Sequence, residues 1–104
     1  MLRIYSDYLG VLRDLRPVLA AVESRDTDLG RQLRRSAASV ALNVAEGSGN
    51  AGGTRRQRYL SALGSAREVA ACLHVADALG YAPVDPSLQQ RLGSVVGVLV
   101  RVTR

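Results

Sequence analysis

Residues Leu33 to Gly49, LRRSAASVALNVAEGSG, decide the fold. At 100° of turn per residue, Leu29, Leu33, Ala37, Val40 and Val44 fall within about 80° of one another, the apolar stripe of a helix facing a core. A polar line of Gln32, Arg35, Ser39, Asn43 and Glu46 runs beside it. Ala38, Leu42 and Ala45 lie on the far side, where a helix packed on one side only would leave them wet. A helix apolar on two sides is generally buried on two sides, so the pattern predicts a second contact beyond the core. Gly47 and Gly49 then supply the backbone freedom of a helix stop.

Upstream, residues 2–24 keep Tyr5, Tyr8, Leu9, Leu12, Leu15, Leu19 and Val22 at helical spacing, with Pro17 placed to bend the helix. A short turn follows, and Asp26 or Asp28 can cap the next helix. Downstream, Gly47 to Gly53 reads as a helix–helix loop. It lacks the Gly-Lys-Ser/Thr ending and the preceding strand of a phosphate loop. Thr54-Arg55-Arg56-Gln57 fits a capping box for a third helix that runs to about Leu79. Tyr59, Leu63, Ala66, Ala70 and Leu73 face its core, flanked by Ala62, Val69 and Ala76. Gly64, Ala71 and Ala78 recur at heptad spacing on a second face, and Gly80 ends the helix.

Asp85-Pro86, a cap and a first-turn proline, opens a fourth helix carrying Leu88, Leu92, Val95, Val96, Leu99 and Val102. Its valine-rich end could form a strand, but the chain offers no partner strand, so a helix is expected. Short loops make consecutive helices antiparallel. The expectation is an all-α, up-down-up-down four-helix bundle, a single domain over residues 1–104.

The core has to be built from Leu, Val and Ala, because Phe and Trp are absent and only four Tyr are present. Small side chains bury little area each, so self-association would add stability. Cys72 is the one cysteine and cannot form an internal disulfide. His74, the one histidine, stands about 200° round the helix from it, which gives neither metal-ligand spacing nor a nucleophile–base pair. No enzyme, cofactor or metal is expected, and His74 reads as a surface or interface residue. No run reaches membrane-spanning length, which leaves the cytoplasm as the expected compartment. All fourteen basic residues are Arg, against nine acidic ones, for a net charge of +5. Genome composition explains an all-Arg usage without any function. Arg also suits phosphate through its planar fork of donors.

The stretch L-R-R-S-A-A-S-V-x-x-N-V-A-E-G-S-G, followed by Tyr59-Leu60 and Ala62-Leu63-Gly64-Ser65-Ala66-Arg67-Glu68-Val69, resembles the four helix bundle protein family. Its founding members are encoded in intervening sequences of bacterial 23S ribosomal RNA genes. The resemblance covers residues 29–81, and Asn-x-Ala-Glu-Gly-x-Gly is its most specific part. It implies an up-down bundle that assembles as a homopentamer, with a poorly defined activity. It also implies kinship to a basic, pentameric retroelement accessory protein that works with a reverse transcriptase and RNA. Three features depart from the pattern: Tyr59 where Phe is common, Asn50 where a basic residue often follows, and no Trp in the first helix.

Within this motif, Asn43 and Glu46 read as a hydrogen-bond clasp from helix two to its neighbours. Glu46 lies in the last turn, where the helix dipole disfavours a carboxylate, so Arg55, Arg56 or Arg58 is expected to compensate. Glu68 with Arg34 or Arg35 is a candidate structural ion pair. Topology gathers Arg3, Arg55, Arg56, Arg58, Arg101 and Arg104 at one end, against only Asp7 and Glu46. Cations at the start of helix three are repelled by its dipole, so local stability does not explain them. That end is the candidate RNA or other nucleic-acid surface. The alternative is a protein-binding or structural scaffold oligomer with no nucleic-acid role.

Overall fold

The structure of the protein is a computed structural model that describes residues 3–50 and 52–104. Leu2, the expected first helical residue, and Ala51 in the expected loop lie outside them. Four helices follow one another: α1 (Arg3–Arg25), α2 (Thr27–Gly49), α3 (Gly52–Ala78) and α4 (Pro86–Thr103). No strand occurs among the described residues, and the valine-rich end of α4 is helical. Each helix packs on the next and α1 closes against α4, most extensively at the α2–α3 pair. This is the up-down four-helix bundle.

Local chemistry sets the ends of the helices. Asp26, in extended conformation, accepts from the Leu29 N–H and starts α2. Asp85 accepts from the N–H groups of Ser87 and Leu88, with Pro86 just inside α4. Gly80, at φ +78°, ends α3, and the Tyr81 N–H reaches back to the Ala76 carbonyl as in a Schellman motif. α1 continues through the exposed Pro17 as one helix.

The turn after α2 differs from its expectation. Gly47 and Gly49 are both helical and neither has a positive φ. α2 runs to Gly49, with Asn50 as its cap residue, and α3 begins at Gly52. Gly52, at φ +63°, makes the turn instead. α3 therefore begins two residues before Thr54, which sits exposed inside the first turn and forms no capping box with Gln57. Gly47 is needed for another reason: a Cβ there would overlap the edge of the Tyr59 ring. This glycine lets α3 approach the α2 backbone.

One core joins all four helices. Leu33, Ala37, Val40 and Val44 are buried as the spacing predicts, as are Tyr59, Leu63, Ala66 and Leu73 of α3. On α1 the buried face is Ile4, Tyr8, Val11, Leu15 and Val22, whereas Tyr5, Leu9, Leu12 and Leu19 are only partly covered. The difference follows from a helix wedged between two neighbours, with Ile4 and Val11 beside Val95 and Val98 of α4. The buried Tyr8 hydroxyl donates to the Ala37 carbonyl at 2.7 Å.

Candidate nucleic-acid interface and polar cleft

The arginine-rich end forms where the start of α3 meets the C-termini of α2 and α4. Arg55 Nε donates to the Gly47 carbonyl at 3.2 Å, and its Nη2 reaches the Ser48 carbonyl at 3.5 Å. Arg56 Nε donates to the Thr103 carbonyl at 2.9 Å. Both guanidinium groups thus cap neighbouring helices, whose C-terminal ends carry partial negative charge, and at Gly47 the carbonyl accepts from the Asn50 N–H as well. The dipole argument from the sequence is corrected here, because cations that oppose their own helix favour the two beside it. Arg58 pairs with Glu46 at 3.2 Å, the compensation that the carboxylate's place in the last turn requires. Arg3 sits 3.9 Å from Asp7, with both side chains exposed. Arg101 and Arg104 are exposed at the end of α4 and have no ion-pair partner among the described residues.

The motif residues of α2 and α3 converge elsewhere, on the outer edge of the α2–α3 seam. Ser36 Oγ donates to Glu68 Oε2. Ser65 Oγ donates to Ser39 Oγ at 2.8 Å, and Asn43 Nδ2 donates to the Ser39 carbonyl at 2.9 Å and to its Oγ at 3.1 Å. Asn43 thus holds its own helix and reaches α3 only through Ser39, while Glu46 reaches α3 directly. An open cleft of about 540 Å³ lies on this seam, lined by Arg35, Ser36, Ser39, Ser65 and Glu68 together with Gln32 and the Asp28–Arg31 pair.

The expected ion pair of Glu68 with Arg34 or Arg35 does not form. Arg34 instead makes a two-pronged contact with Glu23 of α1, at 3.1 and 3.0 Å, and the hydrogen bond to that carboxylate, then its charge, raise the Arg34 guanidinium above its ordinary value. Arg35 is left across the cleft from Glu68. Burial, and then the Glu68 charge, push the Cys72 thiol up, so Cys72 stays a protonated core residue. His74 is exposed and its ring nitrogen meets the Gln89 amide. Sequence reasoning named Ser39 only as part of a polar line and gave Ser36 and Ser65 no role. Their signal was the motif itself, in which hydroxyls at positions 36, 39 and 65 flank the core stripe.

The fold and this seam define a class of small antiparallel bundle with polar motif residues on one helix pair. The model of the 23S rRNA-intervening sequence protein family matches residues 15–98, and the chain belongs to that family. A solved protein of unknown function from the S23 ribosomal protein family of Bacteroides thetaiotaomicron is similar in structure, with a TM-score of 0.83. The two are 14% identical, and the likeness covers 97% of this chain and 98% of that one. At that identity it speaks for the fold alone. No curated protein matches the chain. No helix among the described residues is long and apolar enough to cross a membrane.

Proposed function

We propose that the chain is a non-enzymatic, cytoplasmic accessory module that self-associates, as a ring of five, and meets RNA through its arginine-rich end. The observation that carries this reading is the segregation of charge. One end gathers six arginines against Asp7 and Glu46, while the other holds Arg25, Arg31, Arg34 and Arg35 against five carboxylates. Arg101 and Arg104 stand beside the capping arginines without an ion-pair partner among the described residues, and capping leaves the charge of Arg55 and Arg56 in place. A cyclic assembly would repeat the cluster into a basic ring.

Two apolar surfaces support self-association. Leu42 is 67% exposed between Ala38 and Ala45 on α2. A groove of about 410 Å³ between α3 and α4 is floored by Ala70, Ala71, Gly93 and Val96. Burying unlike faces against each other closes a ring without leaving a free sticky surface.

Light scattering on the eluting protein is expected to give about five times the monomer mass, and a clean monomer at micromolar concentration would defeat the assembly. RNA affinity is expected to fall steeply with salt. Replacing Arg101 and Arg104 with Ala should weaken it for every sequence and flatten the salt slope, leaving the oligomer intact. The capping contacts favour a second reading, a protein-binding scaffold with no nucleic-acid role, since they account for Arg55 and Arg56 without any ligand. That reading gains if the purified protein carries no RNA and binds none at low salt.

A further inference from the structure

We propose that the α2–α3 cleft is a pocket for a guanine nucleotide, taken as an unpaired residue of single-stranded RNA or as the free nucleotide. The RNA form rests on the reading above; the free-nucleotide form does not. The cleft's volume of about 540 Å³ lies within the range of small-ligand sites. Among the described residues, every side chain that lines it is polar or charged. That composition is unlike the aromatic and apolar centre of a protein interface, and it suits a compact, polar ligand rich in donors and acceptors.

The unpaired charges across the cleft specify the ligand further. Arg35 and Glu68 line the same space and are exposed, yet no ion pair joins them. Opposite charges kept apart leave each able to meet a ligand between them. The Ser36 hydroxyl is bonded to Glu68 Oε2, and Oε1 has no partner among the described residues. A carboxylate offers two acceptor oxygens side by side and room for more than one donor on each. Among the bases, guanine alone presents two adjacent donors, N1–H and the N2 amino group, on its pairing edge. Adenine and cytosine set one amino group beside an acceptor, and uracil sets one N–H between two carbonyls. Single-stranded bases are read on that edge. The Arg35 fork then faces the acceptor-rich side of the ligand and fits its phosphate.

The placement in the sequence is a second observation. Arg35, Ser36 and Ser39 come from LRRSAAS on α2, while Ser65 and Glu68 come from SAREV on α3, so two helices each bring charged and hydroxyl side chains to one seam. Packing accounts for the alanines and valines between them. It does not account for an exposed arginine and an exposed carboxylate brought to one cleft.

Two labelled single-stranded RNA oligomers of equal length test the proposal, one all adenine and one with guanine in an adenine background. Fluorescence anisotropy follows their binding, and GMP and AMP are titrated separately by calorimetry. The guanine-containing oligomer is expected to bind about tenfold tighter, the order of discrimination of a good bidentate base contact. GMP should bind more tightly than AMP. Glu68→Gln keeps an oxygen to accept from Ser36 but turns one acceptor into a donor, so the guanine preference should vanish while the melting temperature holds. Arg35→Ala should weaken GMP without restoring AMP. Equal binding of both oligomers together with equal binding of GMP and AMP overturns the pocket, as does a guanine preference that survives Glu68→Gln. Salt-sensitive RNA binding with no guanine preference leaves the arginine-rich end standing and removes this site. GMP binding that is lost in Glu68→Gln, with no RNA bound, keeps the pocket and removes the RNA reading.

Discussion

The two ends of the bundle finish their helices in different ways. Where α2 and α4 begin and α3 ends, every cap is local: Asp26 serves the Leu29 N–H, Asp85 serves Ser87 and Leu88, and Gly80 turns the chain back. At the other end caps also arrive from a neighbouring helix: Arg55 joins the Asn50 N–H on the Gly47 carbonyl at the end of α2, and Arg56 reaches the end of α4. A local cap stabilises one helix wherever that helix goes. A cap borrowed from a neighbour exists only once the helices are packed, so it ties secondary structure to tertiary structure. The same borrowing occurs at Gly47, whose missing side chain is a space for Tyr59 of α3.

The largest effect is expected there. In an ordinary helix interior, Gly→Ala gains about 1 kcal/mol. At Gly47 the new methyl would meet the Tyr59 ring, and overpacking of that kind costs about 1–3 kcal/mol or more. Gly47→Ala should therefore destabilise by about 2 kcal/mol, and Tyr59→Leu in the same chain should recover part of the loss in a denaturant titration. If Gly47→Ala raises the melting temperature, the close approach of α3 to α2 is not as described. Asp26→Ala, at the locally capped end, should cost about 1 kcal/mol, the usual value of a lost N-cap.

Arg56→Ala removes a borrowed cap. It should cost about 0.5 kcal/mol, because the group is exposed and its gain is screened by salt. The signature to seek is faster amide exchange at the end of α4, with α3 unchanged. Exchange that rises at the start of α3 instead would show that Arg56 serves its own helix. Gly49→Ala tests the opposite sign two residues from Gly47. A Cβ at Gly49 meets nothing within 4 Å, so the variant should melt slightly higher, by about 0.5 kcal/mol at a helix end. A pair of neighbouring glycines with opposite responses would separate close approach from simple helix propensity.

These two glycines also show what was legible in the sequence. Gly47, Gly49 and Gly80 look alike as letters, and all three read as helix stops. Only Gly80 takes the positive φ of a stop: Gly47 is decided by Tyr59 of the next helix, which packs on it, and Gly52 rather than Gly49 takes the turn, a choice between nearby glycines that the letters do not make. The fold was legible because it rests on periodicity and on caps within three residues of their targets. The site was legible in part. The arginines of the basic end could be gathered by topology alone, and Arg58 was among the partners proposed for Glu46. The exchange of partners, Arg34 to Glu23 and Ser36 to Glu68, depends on which faces α1 and α3 turn to α2. Helical spacing on one chain segment does not carry that information.

The smallest effect separates the two ends by pH. Tyr81 donates its hydroxyl to Asp26 Oδ2 at 3.3 Å, beside the local cap of α2. Burial, and then the Asp26 charge, raise the Tyr81 phenol above its ordinary value of 10.0. A group whose pKa is raised on folding contributes stability that is fully present below the unfolded value and lost as pH climbs through the folded one. Above about pH 10 the unfolded phenol ionises first, the folded state holds the extra proton, and stability falls as pH rises. Alkaline loosening should therefore appear first at the start of α2, as a drop in melting temperature above pH 10 that is smaller in Tyr81→Phe. The buried Tyr8 phenol, raised by burial as well, adds a loss of the same sign in both proteins, so the difference between them isolates Tyr81. Identical alkaline curves for the two would show that the Tyr81–Asp26 contact contributes nothing, and that the locally capped end is no more sensitive to base than the end held by arginine.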